Sequence, residues 1–194
     1  MNPPLGRDHG PYAVHDLDAL PEDGKGYELA DGWLVELSLS PRHGHAADRL
    51  KELVRDAARR AGADVYVSGC PSDVATAAGI RKPDMFAVPK DAAHDAISHG
   101  ARTYPASGLV LVAEVISPQS ASEQADRVQK AREYASAGIP VYWIVDLDPL
   151  PAITVLTLRD GAYTITAEVR AGEGLSVSEP FTISFDPSAL TDLG

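Results

Sequence analysis

Two carboxylates interrupt the most apolar stretches of the sequence. Asp84 directly precedes the apolar run 85–88, and Glu114 lies inside the run "LVAEVIS". A buried carboxylate is costly unless it meets a cation or a hydrogen-bonding partner. If the two predicted strands are neighbours, the carboxylates of Asp84 and Glu114 converge. Two carboxylates and a backbone carbonyl suit Mg²⁺ or Mn²⁺, which prefer hard oxygen ligands.

A cation that would complete such a site lies on the next predicted helix. Asp126, Lys130 and Tyr134 are spaced four residues apart and therefore share one face of that helix. Because Ser117-Pro118 turns the chain directly from strand to helix, we expect the helix to pack back over the sheet, with Lys130 near Glu114. A metal ion lowers the pKa of a bound water and neutralises charge on a phosphate. In such a set, Lys130 would steer the nucleophile.

Each of these three residues also has a simpler explanation. A lysine four residues after an aspartate is most often half of a solvated ion pair, and an aspartate such as Asp84 often caps a turn. Glu114 is different, because a glutamate inside an apolar strand is seldom a surface residue. Together the three residues favour a functional site over three unrelated local features.

The composition indicates a soluble protein that does not coat nucleic acid. The chain has 194 residues, so we expect one domain over residues 1–194, with residues 1–10 flexible. The formal net charge of −11 disfavours indiscriminate DNA binding, which relies on Lys and Arg. It leaves open a local basic groove and an acidic metal site.

Several classes of protein are disfavoured by what the sequence does not contain. Cys70 is the single cysteine, so neither an intrachain disulfide nor a thiolate zinc site is available. No signal-peptide core or membrane-length apolar run is found, and we expect a cytoplasmic protein without a membrane partner. Nucleophile-elbow, Walker and zinc-helix motifs are lacking, so we expect no nucleotide cofactor.

The periodicity of the sequence predicts a mixed α/β sheet with helices on its faces. Residues 91–107 are weakly periodic and are predicted to be a loop with at most one helical turn. Asp-Gly pairs predict two hairpins, over 26–37 and 152–169. The remaining predicted elements are a short helix over 14–20, a helix over 46–61, strands within 63–69, 82–89, 108–117 and 141–148, and a helix to residue 137 that begins with a capping box of Ser120 and Glu123.

Four blocks of the sequence resemble, in order and spacing, those of the Uma-two family. This family of restriction-endonuclease-like bacterial proteins lies within the PD-(D/E)XK nuclease superfamily. The resemblance covers roughly residues 10–190 and implies a restriction-endonuclease-like core, a central mixed β-sheet flanked by helices, with extra β-hairpins. It also implies a metal-dependent phosphodiesterase site. The blocks are "YELADGWLVELSLSPRH", "RKPDMFAV", "LVAEVISPQS" and "KAREYASAGIPVYWIVD".

The resemblance assigns roles to the residues already singled out. Asp84 and Glu114 match the acids of the motif. The superfamily's lysine normally stands two residues beyond the second acid, where this chain has Ile116. In the Uma-two pattern the lysine is on the following helix, at the position of Lys130. The hypothesis is that Asp84, Glu114 and the Val115 carbonyl hold Mg²⁺ or Mn²⁺, while Lys130 orients the attacking water.

Other matching positions have more than one explanation. Glu28 matches an early acidic position that can reach the metal or its waters, and the alternative is an edge-strand glutamate that faces solvent. His43 matches a family histidine, although we expect it to cap or pack; the nearby His45 does not match. Tyr134 matches too, although a helical tyrosine is usually a core residue. Val141 departs from the family pattern, where a glutamate is common, which leaves details of the substrate groove open.

The leading hypothesis is a Mg²⁺-dependent endodeoxyribonuclease that cleaves phosphodiester bonds with a metal-activated water. Asp84, Glu114, Lys130 and Glu28 would be catalytic, and Arg81 and Lys82 would contact DNA phosphates. Since cleavage of both strands is simplest with two sites, we expect a homodimer or higher homo-oligomer. The alternative is a catalytically inactive nuclease-fold module for DNA binding or protein interaction, because a fold alone does not secure a function.

Overall fold

The computed structural model describes the backbone of residues 10–37, 40–116 and 123–193, and the side chains of these residues except 123–126. The expected flexibility of residues 1–10 falls outside the described residues except for Gly10. The predicted capping box of Ser120 and Glu123 also lies outside what is described. Of the possible Asp126–Lys130 pair, the Asp126 side chain likewise lies outside the described side chains.

The described residues form four α-helices and thirteen strands. The helices are α1 (Val14–Asp18), α2 (Pro41–Ala61), α3 (Lys90–Ser98) and α4 (Glu123–Ser136). The strands are β1 (Tyr27–Ala30), β2 (Trp33–Glu36), β3 (Val65–Ser68), β4 (Asp73–Thr76), β5 (Gly79–Arg81), β6 (Met85–Pro89), β7 (Thr103–Pro105), β8 (Leu111–Ile116), β9 (Val141–Asp146), β10 (Ala152–Arg159), β11 (Ala162–Arg170), β12 (Leu175–Val177) and β13 (Ile183–Phe185).

The central sheet has six strands in the order β11-β10-β9-β8-β6-β3. β8 and β9 run parallel and are connected through α4, whereas the other neighbours are antiparallel. Leu111, Ala113 and Val115 of β8 pack in one core with α2, and Val112 packs in the other core with Tyr134 of α4. A strand covered on both faces needs apolar residues at successive positions, which explains the continuous run around Glu114.

A second sheet of five strands, in the order β2-β1-β5-β4-β7, carries Glu28 on β1 and Arg81 at the end of β5. The predicted hairpin of β1 and β2 is confirmed. Its turn residues Asp31 and Gly32 both have positive φ, at 49° and 79°, as the two-residue turn requires. The hairpin of β4 and β5 was not predicted, since its strands are short and lack an apolar alternation.

The predicted loop over 91–107 is wrong. Residues 90–98 form α3, and residues 103–105 form β7, which pairs in parallel with β4. Of the residues of α3 only Ala93 is buried, where it packs near Phe86 and Val88 of β6. A helix that buries one small side chain gives almost no periodicity, and tertiary contact rather than sequence pattern stabilises it.

The helix predicted over 46–61 begins earlier, at Pro41. The Ser40 side chain accepts a hydrogen bond from the backbone N–H of His43, and Gly62 ends the helix with a φ of 64°. The cap therefore fixes the position of His43 in the first turn of α2. Among the described residues, none of the helices combines the length and apolar character that a membrane crossing requires.

Candidate active site

Asp84 lies at the mouth of β6, beside the end of β8. The register pairs Met85 with Ala113, so the chain before β6 runs alongside residues 114 and 115. The backbone N–H of Val115 donates to Oδ2 of Asp84 at 2.7 Å. Asp84 is buried, and this hydrogen bond fixes its carboxylate against the edge of the sheet.

The second partner of Asp84 is His43, in the first turn of α2. Nε2 of His43 lies 2.7 Å from Oδ1 of Asp84. Burial lowers the pKa of His43, but the hydrogen bond and the negative charge of Asp84 outweigh it, so the pKa is raised. Capping and packing were the roles expected for His43, and the structure adds a direct contact with a predicted site residue.

Glu114 points from β8 toward α4 and contacts two of its residues. Lys130 Nζ donates to Oε2 of Glu114 at 3.0 Å, and the Tyr134 hydroxyl donates to Oε1 at 2.6 Å. Burial raises the pKa of Glu114 to about 7; Lys130 opposes the shift, while the negative charges of Glu28 and Asp84 add to it. The predicted approach of α4 to Glu114 is therefore present in the structure.

Glu28 joins the cluster from the second sheet. Its side chain is 1% exposed, so it does not face solvent. Oε1 accepts from the backbone N–H of Lys82 at 2.8 Å and from Lys130 Nζ at 3.4 Å, and Arg81 donates to Oε2 at 3.2 Å. Burial would raise the pKa of Glu28, but the charges of Lys130 and Arg81 together lower it. Lys130 is thus shared between two buried carboxylates.

The four residues predicted to be catalytic therefore converge, although each comes from a different part of the fold. Asp84 precedes β6, Glu114 lies in β8, Lys130 in α4 and Glu28 in β1. All four are buried, and Lys130 connects Glu28 with Glu114. Such a concentration of ionised groups in a low-dielectric interior is typical of functional sites, where perturbed pKa values cluster.

The donor set suits a hard divalent cation with few protein ligands. Among residues whose side chains are described, no three His, Cys, Asp or Glu come together as a metal site. Asp84 and Glu114 would supply two carboxylates, and water would complete the shell, as Mg²⁺ allows. The N–H of Val115 faces Asp84, and in a strand the carbonyl of the same residue faces the same edge. Each carboxylate oxygen can accept more than its one contact.

Arg81 and Lys82 are not surface phosphate contacts, contrary to the prediction. Arg81 is 0% exposed and donates two hydrogen bonds to Glu133 of α4, including Nε to Oε2 at 2.8 Å. Lys82 is also buried, and its ammonium group contacts Asp73 of β4. Inside the molecule, the charges of both side chains neutralise carboxylates, those of Glu133 and Asp73.

Two of these carboxylates, Glu133 and Asp73, were not singled out from the sequence. Glu133 lies three residues after Lys130, so the helical face that carries Lys130 pointed to it. Burial alone would lower the pKa of Arg81. The hydrogen bonds to Glu133 and the negative charge of Glu28 outweigh burial, so the pKa is raised. Nothing in the local sequence distinguishes Asp73, because its partners Lys82 and Arg102 are brought to it by the folding of the chain.

Comparison with solved structures first defines the class of fold. The chain is similar to the crystal structure titled as a "putative nuclease belonging to DUF820" from Anabaena variabilis ATCC 29413. The TM-score is 0.65 at 14% sequence identity, over 93% of this chain and 98% of that chain. The fold is therefore α/β with a restriction-endonuclease-like core, as predicted.

The family follows from the sequence itself. Residues 14–191 match the Uma2 family, which is described as "Putative restriction endonuclease". Because the match spans most of the chain, the chain belongs to this family. No curated protein matches the sequence.

Proposed function

We propose that this chain is a divalent-metal-dependent endodeoxyribonuclease whose active site is the cluster of Asp84, Glu114, Lys130 and Glu28. Family membership supports a nuclease acting on DNA. The observation that carries the proposal is the burial of two carboxylates, one just before β6 and one in the neighbouring β8, together with the contact of Lys130 with Glu114. Burying these charged groups costs folding free energy, and a catalytic role would explain why the site contains them.

Asp84 and Glu114, with the Val115 carbonyl, would hold Mg²⁺ or Mn²⁺. When bound, such an ion neutralises charge on a phosphate and lowers the pKa of a water. Glu114 must be ionised to be a strong ligand. Because burial raises the pKa of Glu114 to about 7, we expect the affinity for such an ion to rise with pH through that range, as the carboxylate ionises.

Lys130 would act on the reacting groups themselves. Hydrolysis forms a bond from a water oxygen to phosphorus and breaks the bond from phosphorus to a sugar oxygen. The ammonium group of Lys130 would orient the water and stabilise the negative charge that develops on the phosphate. Its position would be fixed by its contacts with Glu114 and Glu28.

The neighbouring residues would hold these groups in place. Tyr134 fixes Glu114 through a 2.6 Å hydrogen bond, and His43 fixes Asp84 at 2.7 Å. We assign positioning roles to Tyr134, His43 and Glu28, since each acts through a residue that would meet the metal or the substrate. A rigid set of this kind lowers the entropy cost of assembling the reacting groups.

Plasmid cleavage tests the proposal. The wild-type protein is expected to convert supercoiled DNA to nicked or linear DNA with Mg²⁺ or Mn²⁺, and to lose this activity in EDTA. Asp84→Ala removes a ligand and is expected to lower the rate by at least about a hundredfold, the scale of losing one strong electrostatic contact in the transition state. Cleavage that persists in EDTA, or in purified Asp84→Ala protein, would contradict the assignment.

The second candidate is a nuclease fold that binds DNA or protein without cutting. Two observations favour it: the site carboxylates are already paired within the chain, and the net charge is −11. DNA binding by the wild type without cleavage in any divalent metal would support this candidate and contradict the nuclease.

We also propose an oligomeric state and a cellular location for the protein. A homodimer or higher homo-oligomer would place two sites on one duplex, so that both strands are cut in one encounter. The cytoplasm is the proposed location, because a chain with the single cysteine Cys70 does not rely on an intrachain disulfide.

A further inference from the structure

Two arginines from different helices contact one short segment that follows β9. Arg42 of α2 donates to Oδ1 of Asp148 at 2.7 Å and also to the carbonyl of Leu147. Arg127 of α4 donates to Oδ1 of Asp146. Since residues 146–148 are consecutive, one short segment contacts both guanidinium groups.

This segment lies at the end of the central sheet where the candidate active site is found. β9 runs parallel to β8, and Asp146 pairs with Ile116, two residues beyond Glu114. Arg42 directly precedes His43, whose ring contacts Asp84. Arg127 lies about one helical turn before Lys130, whose ammonium group contacts Glu114. Each arginine is therefore anchored next to a residue that holds one of the two central carboxylates.

The two arginines are accessible, unlike those buried inside the molecule. The side chains of Arg42 and Arg127 are 48% and 28% exposed, and those of Asp148 and Asp146 are 42% and 34% exposed. Exposed ion pairs are weak, so a competing anion exchanges with the aspartates readily. The planar guanidinium group matches a phosphate, to which it donates two parallel hydrogen bonds.

We infer that Arg42 and Arg127 bind backbone phosphates of DNA that flank the scissile phosphate, and that Asp146 and Asp148 hold them when no DNA is bound. The inference rests on the proposed function. A chain with a net charge of −11 must recruit its polyanionic substrate through local cations. Arg42 is exposed and Arg127 is half-buried at this end of the sheet, and the α2 N-terminus beside Arg42 adds partial positive charge there.

Equilibrium DNA binding tests the inference without relying on cleavage. Binding of a fluorescently labelled duplex to the full chain is measured by anisotropy over a range of salt concentrations, with EDTA present to prevent hydrolysis. Arg42→Gln and Arg127→Gln are each expected to weaken binding by about tenfold. Each is also expected to reduce the slope of log affinity against log salt by about one, as loss of one phosphate contact does.

A matched control and a gain-of-affinity variant sharpen the test. Arg159 also has an exposed acidic partner, Glu179 at 3.9 Å, but it lies beyond Thr157, which pairs with Val141 at the opposite end of β9. Arg159→Gln is expected to bind DNA like the wild type. Asp148→Asn releases Arg42 and removes a negative charge, so it is expected to tighten binding several-fold.

The outcomes separate this inference from the proposed function. If the wild type cleaves DNA but Arg42→Gln and Arg127→Gln bind it like Arg159→Gln, the phosphate-binding role is overturned and the nuclease assignment stands. If Asp148→Asn weakens binding or leaves it unchanged, the holding role of the aspartate is overturned. A wild-type chain that neither binds nor cleaves DNA overturns both.

Discussion

Replacing Lys130 with alanine is expected to lower the rate of DNA cleavage by about a hundredfold to a thousandfold, the effect of removing one preorganised donor from a developing negative charge. Lys130 is the cation that contacts Glu114 at 3.0 Å and Glu28 at 3.4 Å. Its loss would leave the attacking water unoriented and the phosphate charge less stabilised. Initial rates on supercoiled plasmid at saturating Mg²⁺ measure the effect.

The control for Lys130→Ala is Lys90→Ala. Lys90 is exposed, pairs with Asp64 at 3.2 Å, and follows the end of β6 that is remote from Asp84. Its replacement is expected to leave the rate unchanged. Because Lys130→Ala also leaves two carboxylates without their shared cation, circular dichroism must show that the variant is folded at the assay temperature. A folded Lys130→Ala protein as active as Lys90→Ala would remove Lys130 from the mechanism.

Arg81→Ala is expected to lower the free energy of unfolding by about 3–5 kcal/mol, the scale for breaking a buried ion pair. Arg81 is 0% exposed and donates to both Glu133 and Glu28. Its removal would leave Glu133 without the guanidinium group that neutralises it and Glu28 with Lys130 as its remaining described cation. Urea denaturation of the purified variants measures the loss.

A surface pair provides the comparison for Arg81. Arg59 contacts Asp56 on the exposed side of α2, and Arg59→Ala is expected to change stability by less than about 1 kcal/mol. Removing both partners in Arg81→Leu with Glu133→Leu is expected to recover part of the loss, because no unpaired charge remains at Glu133. If Arg81→Ala is no more destabilising than Arg59→Ala, the buried network does not stabilise the fold as described.

Much of the site was predictable because it depends on local patterns. The apolar run around Glu114 required a strand covered on both faces, and the adjoining helix had to return over the sheet, so Lys130 was expected near Glu114. The Asp31-Gly32 turn likewise fixed the hairpin that carries Glu28. In each case the spacing of apolar and turn residues determines the element, and the element determines where the polar side chain points.

The remaining features depend on contacts between residues distant in sequence. Arg81 and Glu133 are 52 residues apart, and Glu28 and Lys130 are 102 apart. Arg81 was predicted to contact DNA phosphates, because the hairpin of β4 and β5 that positions it was not predicted and its burial was therefore not expected. A single sequence does not show which carboxylate neutralises which cation, so phosphate contacts were predicted at Arg81 and Lys82, which are buried.

The central claim is that Asp84 and Glu114 together hold a divalent metal ion in a nuclease site. Anomalous diffraction from crystals soaked in Mn²⁺ tests it most directly, since Mn²⁺ takes the same oxygen ligands as Mg²⁺. We predict an anomalous peak within coordination distance of both carboxylates and the Val115 carbonyl, which is lost in crystals of Glu114→Gln. Soaked wild-type crystals without a peak there, with Asp84 and Glu114 still bound only to His43, Val115, Lys130 and Tyr134, would contradict the account.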